Sequence, residues 1–164
     1  MFALPDPQLA DEMVRLRPWH ERDAGALAAA WEDEEIWRWT SVPARHEPSD
    51  ALRWIESEPL RRESSLALDL VISPADFTDD RVLGEVGMVP LAGGPARAEL
   101  GWWVAPGHRR RSVATRAVGL FASWLRVTLE FSDLFAEVDV RNPASVWVAE
   151  ASGLRLRIRR AGDG

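Results

Sequence analysis

Cysteine, tyrosine and lysine are all missing from this 164-residue chain, so every one of its twenty cationic side chains is an arginine. Lack of cysteine excludes a disulfide framework, a thiolate zinc site and a cysteine nucleophile. Lack of tyrosine leaves no phenol to give or take a proton. No apolar run approaches membrane-spanning length, and MFALPDPQLADEM lacks the basic region and apolar core of a secretion signal. The expectation is a soluble, cytoplasmic protein with no membrane partner. A net charge of −6 argues against a nucleic-acid partner. His20, His46 and His108 are too scattered to suggest a metal site.

What is present is apolar content near half of the chain, enough for one domain over 1–164 with a real core. Its organising stretch is ELGWWVAPGHRRRSVATRAVGLFA, residues 99–122. An apolar run closes at Val104, Pro106-Gly107 breaks it, His108 and three arginines follow, and an apolar pattern of helical period starts at Val113. Strand, basic loop and helix start in that order make an anion cradle, because a helix N-terminus offers unpaired N–H groups and partial positive charge. Taken alone, the arginine cluster reads more simply as a solvated patch.

Along the rest of the chain, MVRLRPW (13–19) fits a first strand with one buried face. Asp23 and Ser49 stand where helix N-caps belong, with the acidic run Glu32 to Glu35 extending or ending the first helix and Pro59 stopping the second. IWRWTSVP reads as a Trp-rich connection between them. LALDLVI, RVLGEVGMV and RAELGWWVA are three strands on short, turn-rich links, which favours antiparallel pairing. Ala114, Ala117, Val118, Phe121, Leu125 and Leu129 share one helical side. LFAEVDV is a further strand, Asn142-Pro143 starts a helix that Gly153 ends, and LRLRIRR alternates as a last strand. The order β-α-α-β-β-β-α-β-α-β gives an α/β fold.

EIWRWTSVP, LGEVGMV, ELGWWVAP, RRRSVATRAV and VRNPAS with AEASGL together resemble the GNAT superfamily of acyl-CoA-dependent N-acyltransferases, in its RimJ/RimL-like branch. The resemblance implies a mixed, mostly antiparallel central sheet flanked by helices, lacking the family's usual last strand, and opening before Arg109. The family's acyl-CoA signature, Q/R-x-x-G-x-G/A, falls on Arg109, Arg110, Arg111, Ser112, Val113 and Ala114. Ser112 and Arg110 stand where glycine is usual, and a side chain at a position of positive φ costs on the order of 1 kcal/mol.

The resemblance implies that successive amides from Arg109 to Thr115 hold the CoA pyrophosphate, that Trp103 and Val104 line the pantetheine arm, and that Val104 polarises the thioester carbonyl. Asn142 would bond pantetheine and Ser145 would lie near the thiol, although both read equally well as helix-capping residues. Glu99 is the first candidate base and Glu85 the second, and each is as readable as an ordinary surface carboxylate. With no tyrosine, Ser145 or water is left to protonate the departing thiolate. The implied activity is transfer of acetyl from acetyl-CoA to a primary amine, by a monomer or homodimer needing no metal. A non-catalytic acyl-CoA binder is the rival reading. Trp31, Trp37, Trp39 and Trp54 fall in the acceptor region, while Trp124 and Trp147 are expected in the core.

Overall fold

A computed structural model describes residues 1–41, 47–93 and 96–159. Val42 and Pro43 of the Trp-rich connection, His46, and the chain after Arg159 lie outside the described residues. Seven strands form one sheet in sequence order: β1 (Leu9–Ala10), β2 (Val14–Arg17), β3 (Leu68–Pro74), β4 (Gly84–Leu91), β5 (Arg97–Val104), β6 (Asp133–Asp139) and β7 (Arg155–Arg159). Pairing is antiparallel through β5 and parallel for β5–β6 and β6–β7. The short β1, pairing Leu9 with Leu16, is a strand beyond the six read from the sequence.

Period-2 alternation gives the sheet two different faces. Leu16, Leu70, Ile72, Val86, Met88, Leu100 and Val138 point one way, onto α5 (Val113–Thr128) and α6 (Pro143–Ala151). Val118, Phe121 and Leu125 of α5 are fully buried there, as their spacing requires. The other face carries α1 (Ala24–Trp31), α2 (Glu34–Trp39), α3 (Pro48–Glu56) and α4 (Glu58–Glu63). These build a second core around Trp19, Leu27, Trp31, Ile36, Ile55 and Trp103.

Several local readings are corrected. IWRW is helical, because the Asp33 carboxylate accepts from the Ile36 N–H at 3.1 Å and caps α2. Glu47, not Ser49, caps α3, with Pro48 in the first turn, and Pro59 opens α4 instead of ending α3. Trp147 is 67% exposed, since α6 buries its Val148–Ala149 side. Trp124 stacks on Phe121 at 6.1 Å, partly buried against the first core.

β2 does not have one wet face. Arg15 and Arg17 are buried. Arg17 spends all five donors: Nε on Ser73 Oγ, Nη1 on Pro18 O and Asp23 Oδ2, and Nη2 on Asp23 Oδ1 and Asp80 O. Arg15 and Arg22 both reach the Asp80 carboxylate. Asp23 therefore holds Arg17 and the His20 N–H, and its side chain does not cap α1.

Candidate active site

β5 and β6 are paired only at Arg97–Asp133, Ala98–Leu134 and Glu99–Phe135. Beyond Glu99 they part, β5 keeping β4 up to Val104–Gly84 while β6 runs with β7 to Asp139–Arg159. The sheet thus opens like a V toward the strand ends. Ala105 donates to the Leu83 carbonyl, on the β4 side. Since N–H direction alternates along a strand, the amides of Trp102 and Val104 point the other way, into the opening.

The basic loop follows at once. A 3-10 turn over Pro106–His108 leads to Arg109, and α5 begins at Val113. Among the described residues, none of the seven backbone N–H groups of residues 109–115 has an acceptor within the protein; the first to be bonded is Arg116, to Ser112 O. Arg110 and Ser112 both have left-handed backbone, with φ of 59° and 60°. Alternation of left-handed and ordinary residues turns successive amides inward to one concavity, a geometry that binds anions. Ser112 at the signature's glycine position, and Arg110 where glycine is common in the branch, therefore both stand where positive φ is needed. Ser112→Gly is expected to raise stability by about 1 kcal/mol, read as a thermal midpoint about 2–4 °C higher; an unchanged or lower midpoint would mean the serine hydroxyl compensates.

The arginines of the loop differ from one another. Arg109 is half-buried and engaged with the protein: its Nε donates to Val104 O at 3.1 Å and its Nη2 pairs with Asp33. Burial works against ionisation of Asp33, but Arg109 and the Ile36 amide outweigh it and hold the carboxyl below its ordinary value. Arg109 thus ties the loop and the open end of β5 to the start of α2. Arg110 and Arg111 are exposed or nearly so and have no carboxylate partner among the described residues. Burial, then Arg81 and Arg111, lowers the pKa of His108.

Both candidate carboxylates lie on the sheet face covered by the small helices. Glu99 is at the last joined position of β5 and β6, about 17 Å along the strand from Val104 at the usual rise. Burial and then Glu137 raise its pKa. Glu85 is opposite Trp103, between the two amides that face the opening, and accepts from Trp103 Nε1 at 3.2 Å. Burial first, then Asp69, pushes it up to about 8. Glu85 is thus the carboxylate nearer Val104, and Glu99 the one at the point where β5 and β6 part. The Trp103 ring belongs to the second core, so only its backbone borders the cleft.

On the β6 side, Asn142 caps α6. Its Oδ1 accepts from the Ser145 N–H at 3.2 Å and its Nδ2 donates to Ser145 Oγ at 3.0 Å. Both residues line a cavity of about 610 Å³ with Trp39, Glu137, Arg141 and Arg159 among its walls. Trp39 thus reaches the cavity, whereas Trp31 is buried in the second core and Trp54 packs edge-on to Trp19 at 5.6 Å. No helix among the described residues is long and apolar enough to cross a membrane.

The same fold recurs in known proteins. RimJ from Mycobacterium smegmatis, solved with CoA-disulfide, superposes with a TM-score of 0.74 at 19% identity over 84% of this chain and 68% of its own. An acetyltransferase from Agrobacterium tumefaciens gives 0.71 at 25% identity over 93% and 85%. A ribosomal-protein-S5-alanine acetyltransferase from Vibrio fischeri gives 0.74 at 18% identity over 89% and 81%. No curated protein matches the sequence. The Acetyltransferase (GNAT) domain family matches residues 14–155, from β2 to the first residue of β7, and therefore takes in the open sheet, the amide loop and both carboxylates. With that span matched, the chain belongs to the GNAT acetyltransferase family.

Proposed function

We propose that this chain transfers the acetyl group of acetyl-CoA to a primary amine by direct attack, as a single-domain RimJ/RimL-type enzyme. The observation that carries the reading is the run of seven unbonded amides at the start of α5, beside the V-shaped opening of the sheet. A diphosphate bound by residues 109–115 would run its pantetheine arm along the free edge of β5, with Asn142 and Ser145 on the other wall. The acetyl carbonyl would then meet the Val104 or Trp102 N–H, which stabilises the oxyanion.

In this reading the amine lone pair attacks the carbonyl carbon, the C–S bond breaks, and the products are an N-acetyl amine and CoA. The proton lost by the amine goes to Glu85. The thiolate takes one from water or from Ser145, whose hydroxyl accepts from Asn142 and keeps its own hydrogen to donate. An amine with a pKa near 8 is partly neutral at pH 7, and one near 10.4 is mostly not, so the base matters more for the second.

Calorimetric titration with CoA, followed by acetyl-CoA and a panel of amino acids, peptides and small amines with free thiol recorded, tests the reading. Binding with amine-dependent thiol release supports it. Binding with no release above background supports the non-catalytic binder, and no binding removes both. Arg111→Glu is expected to weaken CoA by about 10- to 100-fold without loss of stability. Arg109→Glu is expected to lower stability as well, because it sets an acid against Asp33.

A further inference from the structure

Resting on the transferase reading, one acid next to Glu85 has no part in it so far. Asp69 of β3 is opposite Gly87 of β4, two residues along from Glu85, so the two acids are diagonal neighbours on one face. Such neighbours are about 7–8 Å apart at the backbone, within reach of long side chains. The Asp69 side chain turns over β4: its Oδ1 lies too near the position of a β-carbon on Gly87 for one to fit. Glycine at 87 is the notch that admits this carboxyl. Next in the same row, Gly101 of β5 has open space above it on this face. Open space therefore reaches the sheet at Gly101, one strand over from the Gly87 notch.

We propose that Asp69 is a positioning residue for Glu85, the two carboxyls forming a dyad that holds one proton between them. Two carboxylates on diagonal positions of one buried sheet face do not ionise together readily, so one proton stays until the pH is well above the ordinary range. Burial raises Asp69 as it does Glu85. The charged groups acting on the pair come from α4: Arg61, whose Nη2 is 3.2 Å from Asp69 Oδ2, and further off Glu58 with its partner Arg62. Arg61 is fixed by Trp54, stacking at 4.2 Å over the ring and donating to its carbonyl. From β5 only the Trp103 N–H reaches Glu85. Arg61 thus compensates one charge of the two and leaves the second to depend on a proton or on an incoming ammonium.

The test is a titration of the Glu85 side-chain carboxyl by ¹³C NMR in wild type, Asp69→Asn and Gly87→Ala, with kcat/KM against pH for an accepted amine. Wild type is expected to titrate near 8. Asp69→Asn, which removes a negative neighbour and frees Arg61, is expected to lower that midpoint by about one unit or more, and the acid limb of kcat/KM moves down with it. Gly87→Ala displaces the Asp69 carboxyl without removing it and shifts the midpoint the same way, which decides the matter if Asp69→Asn does not fold. An unmoved Glu85 midpoint in either folded variant overturns the dyad, as does an ordinary carboxylate midpoint in wild type. Failure of every amine to be acetylated counts against the transferase reading alone, because the NMR titration needs no turnover.

Discussion

Glu85→Gln is expected to lower kcat/KM for acetyl transfer by about 10²- to 10⁴-fold, the usual contribution of a positioned base. CoA affinity is expected to stay as it was, because the diphosphate is held by the backbone amides of residues 109–115 and not by Glu85. In wild type the rate should climb with pH through about 8, where Glu85 becomes a carboxylate. That climb should flatten in the variant. Stability separates loss of the base from damage to the fold. A carboxyl whose folded-state pKa is raised binds more protons folded than unfolded between its ordinary value and about 8, so its contribution to stability falls as pH rises across that window. Glutamine has no such loss, and the variant should be the more heat-stable protein at pH 8. A variant that keeps wild-type kcat/KM would return the base role to Glu99 or to solvent.

Asp23→Ala is expected to be the most destabilising single change in the chain, at about 3–5 kcal/mol. It would strand Arg17, 1% exposed, with two guanidinium donors unanswered in a site that no water fills readily. For a chain of this length the loss appears as a thermal midpoint roughly 10 °C lower or more. The cost comes from the orphaned charge and not from the pair's own worth, so Arg17→Met with Asp23→Leu should recover most of it. The pair anchors β2 to the start of α1 and, through Asp80, to the loop before β4. A loss below about 1 kcal/mol for Asp23→Ala would mean that water reaches Arg17 after all.

These two residues also mark how far the sequence could be read. The longer strands, the α5 start and the Asn142 cap were legible because each depends on residues a few positions apart: alternation in LALDLVI, apolar spacing after Val113, Asn before Pro143. The departures from glycine at Arg110 and Ser112 were legible only against the family's signature, and both residues have positive φ. Arg15 and Arg17 looked like the wet side of a strand. Their partners Ser73 and Asp80 are some sixty residues away, and nothing local announces them. Where the opening begins was not legible for a related reason. Distance to the opening depends on where β6 leaves β5, a property of pairing that neither strand's sequence carries. The α2 helix, in contrast, had a readable signal in Asp33 three residues before Ile36, which the density of tryptophan obscured.

The most direct measurement is a ¹⁵N–¹H NMR titration with CoA, following the backbone amides of residues 109–115 against those of α6 and β2. If the loop grips the diphosphate, the seven resonances shift together, saturate with one affinity and respond in the same way to ADP, which carries the diphosphate without the pantetheine arm. Shifts confined to other parts of the molecule, with these seven unmoved at saturating CoA, would contradict the account at its root.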